Sequence, residues 1–100
     1  MYKNKKIAVV VPCYNEETQI KRVIETMPEY VDQIVVVDDY SEDDTAAVVQ
    51  NLAQSDSRIE LIRHSQNGGC GGALATGYIW AKDNNYDVAV RMDGDGQMDP

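Results

Sequence analysis

Asp93-Gly94-Asp95 closes a β-branched stretch, Asp87-Val88-Ala89-Val90-Arg91-Met92, near the end of a 100-residue chain. Two carboxylates one residue apart at the end of a strand can both turn toward one hard divalent cation. Mg2+ and Mn2+ favour such oxygen ligands, and Mg2+ commonly combines one or two carboxylates with substrate phosphates. An EF-hand calcium loop would need Gly at its sixth position. Counted from Asp93 that position is Met98, which excludes it. A second acidic pair, Asp38-Asp39, follows Val37. A carboxylate there can accept hydrogen bonds from a base N–H or a ribose hydroxyl, or cap the next helix. At least one of the two is expected to be a ligand.

The remaining candidates read less sharply. Asn67-Gly68-Gly69-Cys70-Gly71-Gly72 suits close backbone approach, either to a phosphate or between helix and sheet. It matches neither the dinucleotide glycine pattern nor the phosphate loop. Tyr14 is either a packed aromatic or a base-stacking one. His64, the lone histidine, is expected at the surface or as a cap rather than as a catalyst. Tyr78, Trp80 and Tyr86 are expected to pack on the core. Cys13 and Cys70 have neither CxxC spacing nor a His neighbour, so reduced thiols are expected rather than a zinc site.

Alternating elements position these residues. Ile7–Val11 and Gln33–Val37 are continuous apolar runs, the pattern of strands buried on both faces. Pro12 is expected to end the first. Asn15 is expected to cap a helix carrying Ile20, Val23, Ile24 and Met27, with Glu16 and Glu17 in its first turn and Pro28 closing it. Ser41 to Asp44 has capping-box spacing before Val48, Val49, Leu52 and Ala53. A third strand covers Ile59–Arg63, a third helix carries Ala73 to Ala81, and a fourth strand covers Asp87–Met92. The β-α-β-α-β-α-β order predicts a parallel, doubly wound, Rossmann-like sheet in one domain, residues 1–100. Pro12–Glu16, Asp38–Ser41, His64–Gly72 and Asp93–Gln97 each follow a strand. All four therefore fall on the carboxyl edge, where open α/β sheets bind ligands.

The chain carries a formal net charge of −8 with 43% hydrophobic residues. This balance argues against a nucleic-acid or anionic-membrane binder, which needs clustered Lys and Arg. No run approaches the ~20 apolar residues of a membrane span, and Ile7–Val11 is too short for a secretory h-region. A cytoplasmic location is expected.

Four segments, Val11-Pro12-Cys13-Tyr14-Asn15-Glu16-Glu17, Val37-Asp38-Asp39-Tyr40-Ser41, Asn67–Gly77 and Met92-Asp93-Gly94-Asp95-Gly96-Gln97, stand in order along the whole chain. Together they resemble family 2 glycosyltransferases of the GT-A fold, especially polyprenyl- and dolichyl-phosphate sugar synthases. The resemblance implies that Pro12, Tyr14, Glu16, Val37 and Asp39 line a nucleotide pocket, with Asp39 on the base. It implies that Asp93 and Asp95 hold Mn2+ or Mg2+ against the donor diphosphate, with Gly94 contributing backbone and Gln97 a further metal ligand. Tyr40 stands where the family has Gly, so the loop is expected to differ there.

The resemblance further implies a donor-binding N-terminal half of a longer enzyme, with the general base and diphosphate-clamping cations beyond Pro100. These 100 residues alone are expected to be inactive, and a truncated sheet to self-associate. The metal would offset charge on the departing nucleoside diphosphate. UDP-sugars are preferred over GDP-mannose as donor, and the acceptor is expected to be a polyprenyl phosphate or a saccharide. The intact enzyme is expected at the cytoplasmic face of the membrane. The alternatives are a receiver-like signalling domain and a non-catalytic metal- or nucleotide-binding module. A receiver needs an Asp ending the strand after Asp38-Asp39 and a later Lys, whereas that strand ends Arg63-His64.

Overall fold

The computed structural model describes residues 4–66, 68–92 and 98–99. The elements run β1 (Ile7–Cys13), α1 (Ile20–Glu25), β2 (Gln33–Asp38), α2 (Thr45–Ala53), β3 (Ile59–Arg63), α3 (Gly69–Asp83), β4 (Val88–Met92) and β5 (Met98–Asp99). They form one sheet in the order β3-β2-β1-β4-β5. β1 to β4 are parallel, as the alternation predicted, with helices on both faces in a doubly wound, Rossmann-like arrangement. β5 is an addition. Its two residues pair antiparallel with Arg91 and Met92, too short a segment to leave a periodic signal.

The apolar runs explain the layering. In a strand, successive side chains point to opposite faces. Val9, Val11, Ile34 and Val36 therefore join Ile20, Val23 and Ile24 of α1 and Val49 of α2 in one core layer. Val10, Val35 and Val37 meet Ala73, Leu74 and Trp80 of α3 in the other. Trp80 stacks on Tyr86 at 5.8 Å. Tyr78 does not pack inward as expected, being 38% exposed.

Local expectations need three corrections. Pro12 does not end β1, which runs on to Cys13 in register with Asp38. The Cys13 carbonyl accepts Asp39 N–H at 2.9 Å, so by alternation the Pro12 nitrogen faces the β4 side. β4 is paired with β1 only from Ile7 to Val10, and the missing donor costs no ladder bond. α1 begins at Ile20, not beside Asn15, and ends at Glu25, before Pro28. Asn15 has φ 54°, and its side-chain oxygen accepts Glu42 N–H at 2.9 Å, so it cannot also cap a helix. Glu16 and Glu17 consequently lie outside the first turn of α1. Ser41 does not cap α2 either, because its hydroxyl donates to Asp38.

β1 and β4 flank the point where strand order reverses. In open α/β sheets the ligand crevice opens there, at the carboxyl ends of the strands. No helix among the described residues is long and apolar enough to cross a membrane.

Gly77 lets α3 lie directly on β1. A Cβ at this position would stand 2.2 Å from Val10 Cγ1, and Val10 is fully buried. Gly77→Ala should therefore destabilise the chain by about 1–2 kcal/mol, overpacking outweighing a helix-propensity gain of up to ~1 kcal/mol. The penalty should shrink in a Val10→Ala background, as thermal unfolding of the four variants would report. Equal penalties in both backgrounds would exclude the contact as its cause.

Candidate nucleotide-binding site

The carboxyl edge is built by side chains that bond backbone from neighbouring loops. Asn15 N–H donates to Ser41 Oγ at 2.9 Å, and Glu16 N–H donates to Thr45 Oγ1 at 2.8 Å. Asn15 Oδ1 returns the contact by accepting Glu42 N–H. Thr45 in turn donates its hydroxyl to Asp43. The loop after β1 and the loop after β2 are thus bonded into one unit. Asn15 reaches αL at low cost because its short polar side chain bonds locally.

Val37 and Asp39 are set by the same unit. Val37 is fully buried and sits in register with Pro12. Asp38 and Asp39 then point to opposite faces. Asp38 is fully buried and accepts the backbone N–H and hydroxyl of Ser41 on Oδ1. Arg63 Nε lies 3.1 Å from its Oδ2, an ion-pair contact too far off line to count as a hydrogen bond. Tyr40 has φ 62°, the left-handed geometry that favours glycine. Its ring lies 6.0 Å from the Arg63 guanidinium, within cation–π reach.

Asp39 faces α3. Its Oδ1 accepts Gly68 N–H at 2.8 Å and stands 2.9 Å from His64 Nδ1. Its Oδ2 accepts Gly69 N–H at 2.8 Å. An ionised carboxylate can only accept, so the proton between Asp39 and His64 belongs to Nδ1. The other ring nitrogen lies 2.9 Å from Thr76 Oγ1, which donates to the Gly72 carbonyl. Burial pushes the Asp39 carboxyl up, but the Gly68 and Gly69 N–H groups and His64 outweigh it and hold it below its ordinary 3.8. His64 is therefore no surface residue, since four-fifths of its side chain is buried.

Pro12, Tyr14, Glu16, Val37 and Asp39 are brought together at this edge. Tyr14 is 42% exposed, which leaves its ring available to a ligand. β4 delivers the chain to the same edge at Met92, while Asp93, Gly94, Asp95 and Gln97 lie outside the described residues. Among the described residues no group of three or more His, Cys, Asp or Glu side chains is arranged to hold a metal. The free Cys13 is buried. Burial first, then Asp38, Glu16, Asp43 and Asp39, push its thiol far up, so it supplies no nucleophile. Sequence reading missed His64, Thr76, Thr45 and Arg63. The contacts that tie them into the site cross 12 to 29 residues of sequence, although Thr45 and Thr76 also bond locally to Asp43 and Gly72. No periodic pattern encodes such pairs.

Comparison with known proteins gives the family. Residues 8–100 match the family described as glycosyl transferase family 2, and the chain belongs to that family. It is 34% identical to a UDP-N-acetylglucosamine–dolichyl-phosphate N-acetylglucosaminyltransferase of Methanococcus voltae, over 97% of this chain and 44% of the relative. It is also 34% identical to a polyprenol monophosphomannose synthase of Mycolicibacterium smegmatis, over 92% of this chain and 36% of the relative. The chain thus spans less than half the length of these relatives. Among solved structures, the mannosyltransferase PcManGT of Pyrobaculum calidifontis, in complex with GDP-Man and Mn2+, superposes with TM-score 0.81 at 25% identity. That match covers 94% of this chain and 28% of the neighbour. Glucosyl-3-phosphoglycerate synthase of Mycobacterium tuberculosis, in complex with Mn2+, UDP and glucosyl-3-phosphoglycerate, gives TM-score 0.68 at 26% identity, over 91% and 34% of the two chains.

Replacing the carboxylate tests its structural role. In Asp39→Asn the amide nitrogen would oppose one of the N–H donors or His64, and a loss of about 1–3 kcal/mol is expected. Because the folded-state value is depressed, the stability due to Asp39 is complete above 3.8 and is lost as pH falls through the lower folded value. Urea unfolding should therefore show a gap between parent and variant at pH 7 that narrows below pH ~3.8. A gap independent of pH would assign the loss to something other than the charge.

Proposed function

We propose that this chain is the donor-binding part of a glycosyltransferase that moves a sugar from a nucleoside diphosphate to a lipid-phosphate or saccharide acceptor. The observation that carries the reading is the junction of Pro12, Tyr14 and Glu16 with Val37 and Asp39 at the carboxyl ends of β1 and β2, with β1 itself flanking the strand-order reversal where such sheets take ligands. In this reading Tyr14 stacks on the base, Asp39 accepts from its edge, and Pro12 and Val37 form the apolar floor. Glu16 lies on the ribose side. The relatives named above act on dolichyl or polyprenol lipids, which supports a lipid-phosphate acceptor and a place at the cytoplasmic face of a membrane.

Asp93 and Asp95, with Gln97, are assigned to the metal, and Gly94 to backbone contact with the donor. All three side chains offer hard oxygen donors, the set that Mn2+ and Mg2+ take, and both neighbours carry Mn2+. When bound, the metal would offset charge on the nucleoside diphosphate as the sugar leaves.

The bonding around Asp39 supports UDP over GDP. A carboxylate offers about four lone-pair sites. Gly68 and His64 occupy both on Oδ1, and Gly69 occupies one on Oδ2. One site remains. Uracil brings a single imide N–H, whereas guanine brings two adjacent donors that would each need a carboxylate oxygen. The Pyrobaculum neighbour binds GDP-Man, but the pocket of this chain is one acceptor short for that base.

Calorimetric titration of UDP and GDP, with and without Mn2+, tests the assignment. UDP should bind only with Mn2+, GDP at least tenfold more weakly, and Asp95→Asn should abolish the Mn2+-dependent binding. Metal-independent binding, or binding unaffected by Asp95→Asn, would contradict it.

A further inference from the structure

We propose that His64 sets which nucleobase Asp39 accepts, acting as a positioning residue through the Asp39 carboxylate. This rests on the reading of Asp39 as the base-recognising residue. His64 is bonded at both ring nitrogens, to Asp39 Oδ1 and to Thr76 Oγ1, each at 2.9 Å. Its backbone N–H is also fixed, donating to the Asp38 carbonyl at 2.9 Å. The ring therefore cannot swing away without breaking contacts to both α3 and the residue that follows β2. Held there, it takes the second lone-pair site of Oδ1, so that among the described residues only Oδ2 keeps an acceptor site for a ligand.

The consequence concerns specificity rather than overall affinity. Without the Nδ1 donor, Asp39 would have one open site on each oxygen. That is the paired acceptor that the two adjacent donors of guanine require. A group that satisfies or fails to satisfy a ligand's polar edge discriminates far more than added apolar contact does. Loss of His64 should thus favour GDP relative to UDP, whereas simple loosening of the fold would weaken both together.

Two amide substitutions separate the two ring contacts. In His64→Asn the side-chain NH2 falls near the position of Nδ1 and can still donate to Asp39. In His64→Gln it falls near Nε2, keeping the Thr76 contact and losing the one to Asp39. UDP and GDP affinities in Mn2+ are measured by calorimetry on the parent chain, His64→Ala, His64→Gln and His64→Asn, with thermal unfolding alongside. The UDP:GDP affinity ratio should fall about tenfold in His64→Ala and His64→Gln, the size of one charge-assisted hydrogen bond. It should stay within about threefold of the parent in His64→Asn. Should His64→Ala fail to fold, His64→Gln carries the same comparison. A ratio unchanged in a folded His64→Gln would overturn the inference while leaving the nucleotide site standing. No UDP binding by the parent chain would overturn both.

Discussion

Asp39 receives the first N–H groups of α3 and the imidazole of His64 on a carboxylate that is almost wholly buried. The end of β2, the end of β3 and the start of α3 are joined at that one group. α3 has no side-chain cap of its own, and its opening residues Gly69, Gly71 and Gly72 carry no side chain that could provide one. A remote carboxylate does this work, and the positive end of the helix favours its charge. Within the glycine run, Gly69 is the position whose backbone favours glycine, at φ 80°, and its N–H is one of those that reach Asp39.

The neighbouring carboxylate shows what strand alternation contributes. Asp38 and Asp39 are adjacent, yet one turns to Ser41 and Arg63 and the other to α3 and His64. The pair is therefore not a double ligand. Asp38 supports the turn, while Asp39 holds the start of α3 and His64. Tyr40 at φ 62° is held in its left-handed turn because Ser41 is bonded to Asp38 on one side and Asn15 on the other. The same bonds carry Tyr14 and Glu16 to the edge, so pocket and turn are one structure.

The parallel sheet was legible because Ile7–Val11 and Gln33–Val37 are apolar without alternation, and because helical spacing separates them. That pattern reflects burial, which acts on every residue of a strand. The carboxyl edge followed from connectivity, which placed Pro12–Glu16, Asp38–Ser41 and His64–Gly72 on one side of the sheet before any coordinates, while the choice of Pro12, Tyr14, Glu16, Val37 and Asp39 came from the family resemblance. What was not legible is which polar group bonds which. Asn15 and Ser41 both have good capping chemistry, and each instead bonds the other's loop. His64 gave no sign of its role, because its partners Asp39 and Thr76 are brought to it only by folding. Short polar side chains are satisfied by whichever backbone group the fold presents, and sequence spacing does not record that choice.

The most direct test of the pocket described here is a crystal structure of this chain with UDP and Mn2+. The uracil imide nitrogen should lie within hydrogen-bond distance of Asp39 Oδ2, with Tyr14 over the ring and the Gly68, Gly69 and His64 bonds to Asp39 intact. A uracil bound elsewhere on the sheet, or an Asp39 that releases α3 to reach it, would contradict the account.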